Sequence, residues 1–237
     1  PDFNLDLEAR LRAQGIRTAH FISPSIWAWR RERIDRIRRS VDHMLLVFPF
    51  EEAIYREAGI PATYVGHPLA DAIPAQVDAS AARRALGLPA HAPVVALLPG
   101  SRSAEVEHLA LPFLRTAAWL HERRAELHFV MPAASARLFE RLGAIAAAAG
   151  LPGRLPLTLV CGRSHEALAA ADAVLVASGT ATLETALFRR PMVIAYRMSW
   201  LSYRIMRRMG YLPWIGLPNI LSGSFVVPEF VQDAVRP

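Results

Sequence analysis

Two short segments of the sequence combine small and polar residues in a way that suits an anionic ligand. In the first, DAVLVASGTATLE, an apolar run ends at Ser178, Gly179 and Thr180. A helix is predicted to begin directly afterwards, near Thr182, and the free amides and dipole of a helix N-terminus favour a pyrophosphate. Glu184, in the first turns of this helix, can accept hydrogen bonds from a ribose diol. The ordinary alternative is a Ser/Thr cap whose capping box Glu184 completes.

The second segment, VVALLPGSRSAEVEHL, repeats the order of strand, turn and helix. Gly100 lies in the predicted turn, and Ser101 or Ser103 is the predicted helix cap. Arg102 is expected at the carboxyl edge of the sheet, where a guanidinium can clamp a leaving diphosphate with a bond worth about 1.5 to 3 kcal/mol. The alternative is a surface ion pair between Arg102 and Glu105, which contributes little. Two such helix starts together favour the functional interpretation.

Three further polar residues stand beside apolar anchors. Asn219 occurs in LPN, and Glu229 and Gln232 occur in PEFVQ. Such residues either line a cleft or cap neighbouring elements, and their types leave both interpretations open. The single cysteine, Cys161, has the pattern of a buried strand residue, and the sequence has no metal-ligand spacing. We therefore expect neither a metal nor a cofactor.

The elements that must position these residues alternate along the chain. Short β-branched runs that are apolar on both faces alternate with longer amphipathic segments, which is the pattern of an α/β fold with parallel sheets. Helices are predicted at residues 5–14 and 104–123. The predicted strands are residues 18–22, 43–48, 63–65, 94–98, 127–131, 157–160, 173–177 and 192–195.

The alternation is interrupted once, at DAIPAQVD, where Pro74 precedes a fresh series of helix, strand and helix. The prediction is therefore two Rossmann-like domains, residues 1–73 and 74–237. Ligands of open α/β sheets bind at the carboxyl ends of the strands, so a cleft between the two domains is the expected site.

All 27 basic residues are arginine, and the net charge is +6. In FISPSIWAWRRERIDRIRRS, Trp27 and Trp29 precede an arginine-rich stretch whose spacing predicts a packed helix with a solvated basic face. The alternative is a rim that meets an acidic membrane surface or a phosphorylated acceptor. A rival for the whole chain is a basic module that binds nucleic acid.

The segment YRMSWLSYRIMRRMGYLPWIGLPN also has basic and apolar residues at helical spacing, together with several aromatic residues. This pattern is typical of helices that lie in a membrane interface, although a helix facing a core shows the same apolar residues. The apolar stripe is Leu201, Ile205 and Met209, and the basic stripe is Arg204, Arg207 and Arg208.

These segments, taken in order, resemble the lipid-A-disaccharide synthase family. The resemblance rests on PDFN, SPSIWAWR, PFE, VGHPL, LLPGSRSAEV, ASGTATLE, PMVIAYR, LPNIL and PEFVQ, and it covers essentially the whole chain. It implies the GT-B fold of two Rossmann-like domains facing across a cleft. It also implies transfer of a 2,3-diacylglucosamine from UDP to the 6-hydroxyl of 2,3-diacylglucosamine 1-phosphate, which forms the β-1,6 lipid A disaccharide precursor.

The resemblance also implies roles for particular residues. Those expected to face UDP are Gly100, Ser101, Arg102, Ser178, Gly179, Thr180, Thr182, Glu184 and Asn219. Glu229 and Gln232 are expected near the donor sugar or the diphosphate. Because the reaction inverts the anomeric centre, a base must deprotonate the acceptor, and Arg102 and the helix dipoles would stabilise the departing UDP. The family's leading base lies just upstream of PDFN, so Asp2 is not expected to fill that role.

The remaining expectations concern partners and location. The sequence begins at Pro1 without Met, and we expect an inactive fragment of an enzyme. The expected partners are UDP-diacylglucosamine, diacylglucosamine 1-phosphate and the inner-membrane surface of a Gram-negative bacterium, on its cytoplasmic side. No nucleic acid is expected, and a homodimer is left open. The nearest rival is a sugar-nucleotide epimerase or another GT-B transferase.

Overall fold

The computed structural model describes residues 2–28, 30–209 and 212–236. The chain forms two compact units, Pro1–Ala72 with Leu201–Pro213 and Ile73–Trp200 with Trp214–Pro237. Each unit contains one sheet whose strands are all parallel, which confirms the predicted α/β class.

The first unit is built on a three-stranded sheet in the order β1-β2-β3. Its core includes Leu5, Ile37, Met44 and Tyr55, each fully or almost fully buried. Its elements are α1 (Asp2–Ala13), β1 (Ala19–Phe21), a 3-10 helix (Arg31–Arg33), α2 (Ile34–Ser40), β2 (His43–Leu46), α3 (Glu51–Glu57), β3 (Ala62–Tyr64) and α4 (Pro68–Ala72).

The second unit is built on a six-stranded sheet in the order β6-β5-β4-β7-β8-β9. Its strands are β4 (Val94–Leu98), β5 (His128–Ala133), β6 (Leu157–Cys161), β7 (Ala173–Ala177), β8 (Met192–Tyr196) and β9 (Glu229–Val231). Its helices are α5 (Ala79–Leu86), α6 (Ser103–Arg123), α7 (Ala136–Ala148), α8 (Ser164–Ala170), α9 (Thr180–Leu187), α11 (Leu217–Ser222) and a 3-10 helix (Gln232–Ala234). The remaining helix, α10 (Trp200–Met209), belongs to the first unit except for Trp200.

The strand order of this second sheet determines where a ligand can bind. From the central strand β4 the chain proceeds outward through β5 and β6, then returns to β7 on the other side of β4 and proceeds through β8 to β9. The loops that follow β4 and β7 therefore diverge to opposite sides and leave a crevice at the carboxyl ends of these two strands. Both of the turns singled out in the sequence lie at this crevice.

A buried arginine fixes β4 beside β7. The Arg83 guanidinium, whose side chain is 11% exposed, donates to the carbonyl oxygens of Ala90 and Ala170 and to the Asp172 carboxylate. The same carboxylate oxygen accepts a hydrogen bond from the Val94 amide at 2.8 Å. Asp172 directly precedes β7 and Val94 begins β4, so one ion pair sets the relative position of the two strands that carry the turns.

The eight predicted strands are confirmed, each within two residues of its predicted ends. The ninth strand, β9, was not predicted. It is three residues long and follows Pro228, so it shows no alternation of its own. Its pairing with β8, from Ile194 with Glu229 to Tyr196 with Val231, defines it instead.

Candidate functional site

The N-terminus of α9 is open. Gly179 is its N-cap residue, with φ 146° and ψ −163°, a conformation that side chains other than hydrogen disfavour. Among the described residues no side chain caps this helix, and the first amides of any α-helix lack intrahelical acceptors. The Thr182 hydroxyl donates instead to the Gly179 carbonyl oxygen at 2.7 Å. The first turn of α9 therefore presents amides and a positive dipole end to an external anion.

The capping box considered as the ordinary alternative at this helix is not formed among the described residues. α9 begins at Thr180, so Glu184 lies more than one turn inside it and does not reach the N-cap residue. Its carboxylate lies 3.7 Å from His165 Nε2 instead, and its side chain is 20% exposed. Thr182, expected to face the ligand, is fully buried. Thr182 therefore stabilises the turn through its bond to Gly179, whereas Glu184 remains accessible to a ligand.

The N-terminus of α6, in contrast, is closed by its own side chain. The Glu105 carboxylate accepts hydrogen bonds from the amides of Ser101 at 3.0 Å and Arg102 at 3.2 Å. Its other oxygen pairs with Arg102 Nη1 at 3.1 Å. The predicted serine cap is therefore wrong, because a carboxylate one turn into the helix reaches both amides and adds a favourable charge.

The ion pair considered as the alternative for Arg102 is present in the structure. The Arg102 side chain is 80% exposed and that of Glu105 only 13%. A pair with one partner this exposed contributes little to stability, so a ligand can recruit the solvated Arg102 guanidinium at small cost. Gly100 makes the arrangement sterically possible, because a Cβ there would lie 2.5 Å from both Glu105 Cβ and Oε2.

Both turns line one cavity of about 460 Å³. This volume is within the range of small-molecule sites, and the cavity lies at the crevice between the carboxyl ends of β4 and β7. The predicted residues that line it are Gly100, Ser101, Arg102, Ser178, Gly179, Thr180 and Glu184. Small residues at and just after the carboxyl ends of β5 and β6 also line it, namely Ala133, Ala134, Gly162 and Ser164.

Tyr196 is a residue of this cavity that the sequence interpretation missed. It is the last residue of β8, it lines the cavity, and it packs partly against the hydrophobic core. Burial raises the pKa of its phenol, the nearby Glu105 carboxylate raises it further, and Arg102 opposes the shift. The available signal was a tyrosine at the carboxyl end of an apolar strand, which is where ligand-binding residues of parallel sheets occur.

The structure assigns Asn219 and Glu229 a different position from the one expected. Asn219 is fully buried, and its amide nitrogen donates to the Val227 carbonyl oxygen at 2.8 Å and to the Glu229 carboxylate at 2.7 Å. Its side-chain oxygen accepts from the amides of Val226 and Val227, both at 2.8 Å. All hydrogen-bonding groups of Asn219 are therefore satisfied internally, and neither residue lines the cavity.

Glu229 caps the loop before α11. Its two carboxylate oxygens accept from the amides of Ile215 and Gly216, each at 2.9 Å. The Ile215 carbonyl oxygen in turn accepts from the Ser178 hydroxyl at 2.7 Å, and Ser178 lies in the turn before α9. Glu229 therefore supports the cavity through this loop, as one of the caps that the sequence interpretation had left open.

Gln232 also pairs with backbone. Its side-chain oxygen accepts from the Met198 amide at 2.8 Å, and its nitrogen donates to the Met198 carbonyl oxygen at 3.1 Å. Gln232 adopts φ 53°, a left-handed conformation that is unfavourable for a residue with a side chain. This paired amide holds the chain after β9 against the segment after β8, and Gln232 does not line the cavity.

The arginine-rich segment is largely neutralised within the first unit. Arg33 pairs with Asp2, and Arg36 pairs with Asp2 at 2.9 Å and with Asp6 at 2.7 Å. Arg38 pairs with Asp35 at 2.8 Å. Hydrogen bonding from Arg33 lowers the pKa of Asp2, and Coulombic attraction from Arg33 and Arg36 adds to this effect. These pairs favour a solvated structural face over a nucleic-acid surface, and they make Asp2 a poor proton acceptor.

The tryptophan before this segment lies in an aromatic cluster. The Trp27 ring meets Phe48 and Phe50 edge-on, with centroids 6.1 and 5.3 Å away.

The second basic and apolar segment forms α10, on which Arg204, Ile205 and Arg208 are exposed. Trp29 and Tyr211 lie outside the described residues, as do the side chains of Leu201, Arg207 and Met209.

Two features are absent from the residues that the structure describes. None of the helices described is long and apolar enough to cross a membrane. Within the same residue ranges, the side chains of His, Cys, Asp and Glu form no group that could hold a metal ion. Cys161, expected to be buried, is exposed, because it ends β6 at the sheet's carboxyl edge and not within the core.

Comparison with known proteins identifies the family to which the chain is similar. A family model described as lipid-A-disaccharide synthetase matches residues 1–237. A lipid-A-disaccharide synthase of Thiobacillus denitrificans is 59% identical over 237 residues, covering 100% of this chain and 62% of the relative. One of Albidiferax ferrireducens is 58% identical over 234 residues, covering 99% of this chain and 59% of the relative. The chain thus spans about three fifths of the length of these curated relatives.

Proposed function

The chain belongs to the lipid-A-disaccharide synthase family, and from this premise we propose that the protein containing it is a UDP-sugar-dependent glycosyltransferase. It transfers a 2,3-diacylglucosamine from UDP to the 6-hydroxyl of 2,3-diacylglucosamine 1-phosphate and forms the β-1,6 lipid A disaccharide precursor. The single observation that supports the nucleotide part is the cavity at the carboxyl ends of β4 and β7, into which the uncapped α9 N-terminus opens.

Within this proposal, each accessible cavity residue has a role. The amides that follow Gly179 bind the diphosphate, because they are the hydrogen-bond donors that no side chain occupies. Arg102 swings from Glu105 to the diphosphate and neutralises charge on the departing UDP. Glu184 accepts hydrogen bonds from the ribose hydroxyls. Ser178 holds the turn through its bond to the Ile215 carbonyl oxygen.

The two parallel sheets suit the two Rossmann-like domains of a GT-B enzyme. We assign residues 74–237 to the domain that binds the UDP-sugar, because all residues lining the cavity belong to it. Residues 1–73 then belong to the domain on the acceptor side. The base that deprotonates the acceptor is expected upstream of Pro1, as the resemblance implies, and Asp2 is committed to Arg33 and Arg36.

Because both substrates of this reaction carry acyl chains, we further propose that the protein works at the cytoplasmic surface of the inner membrane. Several large apolar side chains of the second unit are exposed, including Trp200 at 65%, Phe225 at 63% and Val226 at 58%. Exposed apolar residues of this size are suited to contact with acyl chains or the bilayer interface.

The nucleotide assignment is tested by thermal unfolding of the full-length protein with and without UDP. UDP should raise the midpoint in a saturable way, since a ligand that binds only the folded state stabilises it. Glu184→Ala should lose most of this shift, whereas Glu140→Ala, an exposed change on α7, should keep it. Equal protection of wild type and Glu184→Ala would exclude the proposed ribose contact.

The lipid assignment needs a separate assay. Acylated and unacylated UDP-glucosamine donors are compared in a transferase assay with detergent-dispersed acceptor, and only the acylated donor should be consumed. Equal turnover of the unacylated donor would reject the lipid assignment and favour another GT-B transferase. If the protein bound nucleic acid with an affinity that fell steeply with salt and did not change when UDP was added, it would instead be a basic nucleic-acid-binding module.

A further inference from the structure

Tyr196 lies where a ligand in the cavity would meet it. It ends β8, directly after Ala195, whose register partner on the neighbouring β7 is Ala177. Ala177 is followed by the turn into α9, so the tyrosine and the open amides of α9 border the same cavity at the same edge of the sheet. The ring packs partly on the core, which helps to hold it in place.

The hydroxyl of Tyr196 is available to a ligand. Over the residues that the structure describes, it makes no hydrogen bond to the protein. A tyrosine phenol is protonated at neutral pH and can donate a hydrogen bond. Burial and the Glu105 carboxylate raise the pKa of this phenol further, which does not change that state. A half-buried phenol without a protein acceptor beside an open cavity is a group that a ligand oxygen can satisfy.

The charges of the cavity show why such a neutral donor is needed. Among the described residues that line it, Glu105 and Glu184 are acidic and Arg102 is basic, and Arg102 is already paired with Glu105. A diphosphate therefore enters a cavity with no surplus of positive charge. Its binding then depends on neutral donors, which are the α9 amides and the Tyr196 hydroxyl.

We propose that Tyr196 is a further ligand-contacting residue, which donates its phenol hydrogen to a diphosphate oxygen of the nucleotide on the side of the cavity where Arg102 lies. This inference rests on the proposed function and adds a contact that neither turn supplies. It makes recognition of the diphosphate depend on residues from three strand ends, those of β4, β7 and β8.

The test uses the full-length protein and the variant Tyr196→Phe, which keeps the ring and removes only the hydroxyl. UDP affinity, measured by calorimetry, should fall about tenfold, as expected for loss of one hydrogen bond to a charged group. Uridine affinity, measured by ligand-observed NMR, should not change, because uridine lacks the phosphates. Tyr64→Phe removes a hydroxyl from an exposed tyrosine on β3 and should leave both affinities at wild-type values.

Each alternative outcome has a distinct meaning. Unchanged UDP affinity in Tyr196→Phe would overturn the proposed contact. An equal loss for UDP and uridine would also overturn it, because the hydroxyl would then act on the nucleoside or on the shape of the cavity. If the wild-type protein bound neither ligand, the proposed function itself would fail, and this result differs from both of the others.

Discussion

Gly100 is the residue on which the closed α6 N-terminus depends most directly, and Gly100→Ala tests this dependence. Gly100 adopts φ 122°, and a Cβ built on it lies 2.5 Å from Glu105 Cβ and Oε2. A methyl group there must displace Glu105, which would then give up its bonds to the amides of Ser101 and Arg102. The substitution therefore combines backbone strain with loss of the helix cap.

The expected cost can be estimated from these two contributions. A non-glycine residue in a disfavoured backbone region costs about 1 to 3 kcal/mol. Losing an N-terminal cap costs a further 0.5 to 2 kcal/mol, roughly. The variant should thus be less stable by about 1.5 to 5 kcal/mol. For a unit of this size, each kcal/mol lowers the unfolding midpoint by about 2 to 4 °C.

The assay is thermal unfolding followed by circular dichroism, with Gly143→Ala as the matched control. Gly143 lies inside α7, and a Cβ there meets only Leu159 Cδ1 at 4.0 Å. Alanine in a helix interior should raise stability by roughly 0.5 to 1 kcal/mol. In the Glu105→Gly background, which removes both side-chain atoms that the added Cβ would meet, Gly100→Ala should cost only its backbone strain. Strictly additive effects of the two substitutions would refute the proposed clash between Gly100 and Glu105.

Two buried groups give further predictions. Asn219→Asp would place a second carboxylate where Nδ2 now lies 2.7 Å from a Glu229 oxygen. With the two charge centres about 4 Å apart and an effective dielectric of about 20, the repulsion is about 4 kcal/mol, so the unfolding midpoint should fall at pH 7 and recover on acidification. A midpoint that does not depend on pH would contradict this. Burial raises the pKa of Glu51 above 4.5, so the folded state binds the Glu51 proton more tightly than the unfolded state does. The stability that protonated Glu51 contributes is therefore present below pH 4.5 and is lost as pH rises through the folded pKa. Glu51→Gln should reduce the change in the free energy of unfolding, measured in urea, between pH 4.5 and 7. Glu57→Gln, at an exposed site, should leave that pH dependence as in the wild type. The same pH dependence in wild type and Glu51→Gln would count against this assignment.

The sequence predicted those elements whose pattern is local. β4 reads VVALL and β7 reads AVLVA, and such continuous apolar runs are typical of strands covered on both faces. Each run ends in small residues and is followed by a helix, so the two turns were recognisable. The crossover that places β7 beside β4, and so makes both turns line one cavity, cannot be read from either run. β9 escaped prediction for the same reason.

The roles of single polar residues were harder to predict, as Asn219 illustrates. A polar residue next to apolar anchors fits a cleft wall and a buried cap equally well. The choice is decided by the backbone amides of Val226 and Val227, which need an acceptor and lie several residues along the chain. A hydrogen bond of this kind can be predicted from sequence spacing only when the donor and the acceptor are a few residues apart. Glu105 and the amides of Ser101 and Arg102 are an example.

The contrast between the two helix starts follows from one difference in their sequences. In α6 a glutamate occupies the third helical position and reaches back to the preceding amides, whereas the corresponding residue of α9 is Thr182. Threonine is too short to reach those amides, and its hydroxyl bonds the Gly179 carbonyl oxygen instead. A diphosphate that binds at this cavity therefore finds free amides at α9 and must recruit Arg102 away from Glu105 at α6. The same strand–turn–helix unit thus supplies backbone donors at one wall and a releasable side-chain cation at the other.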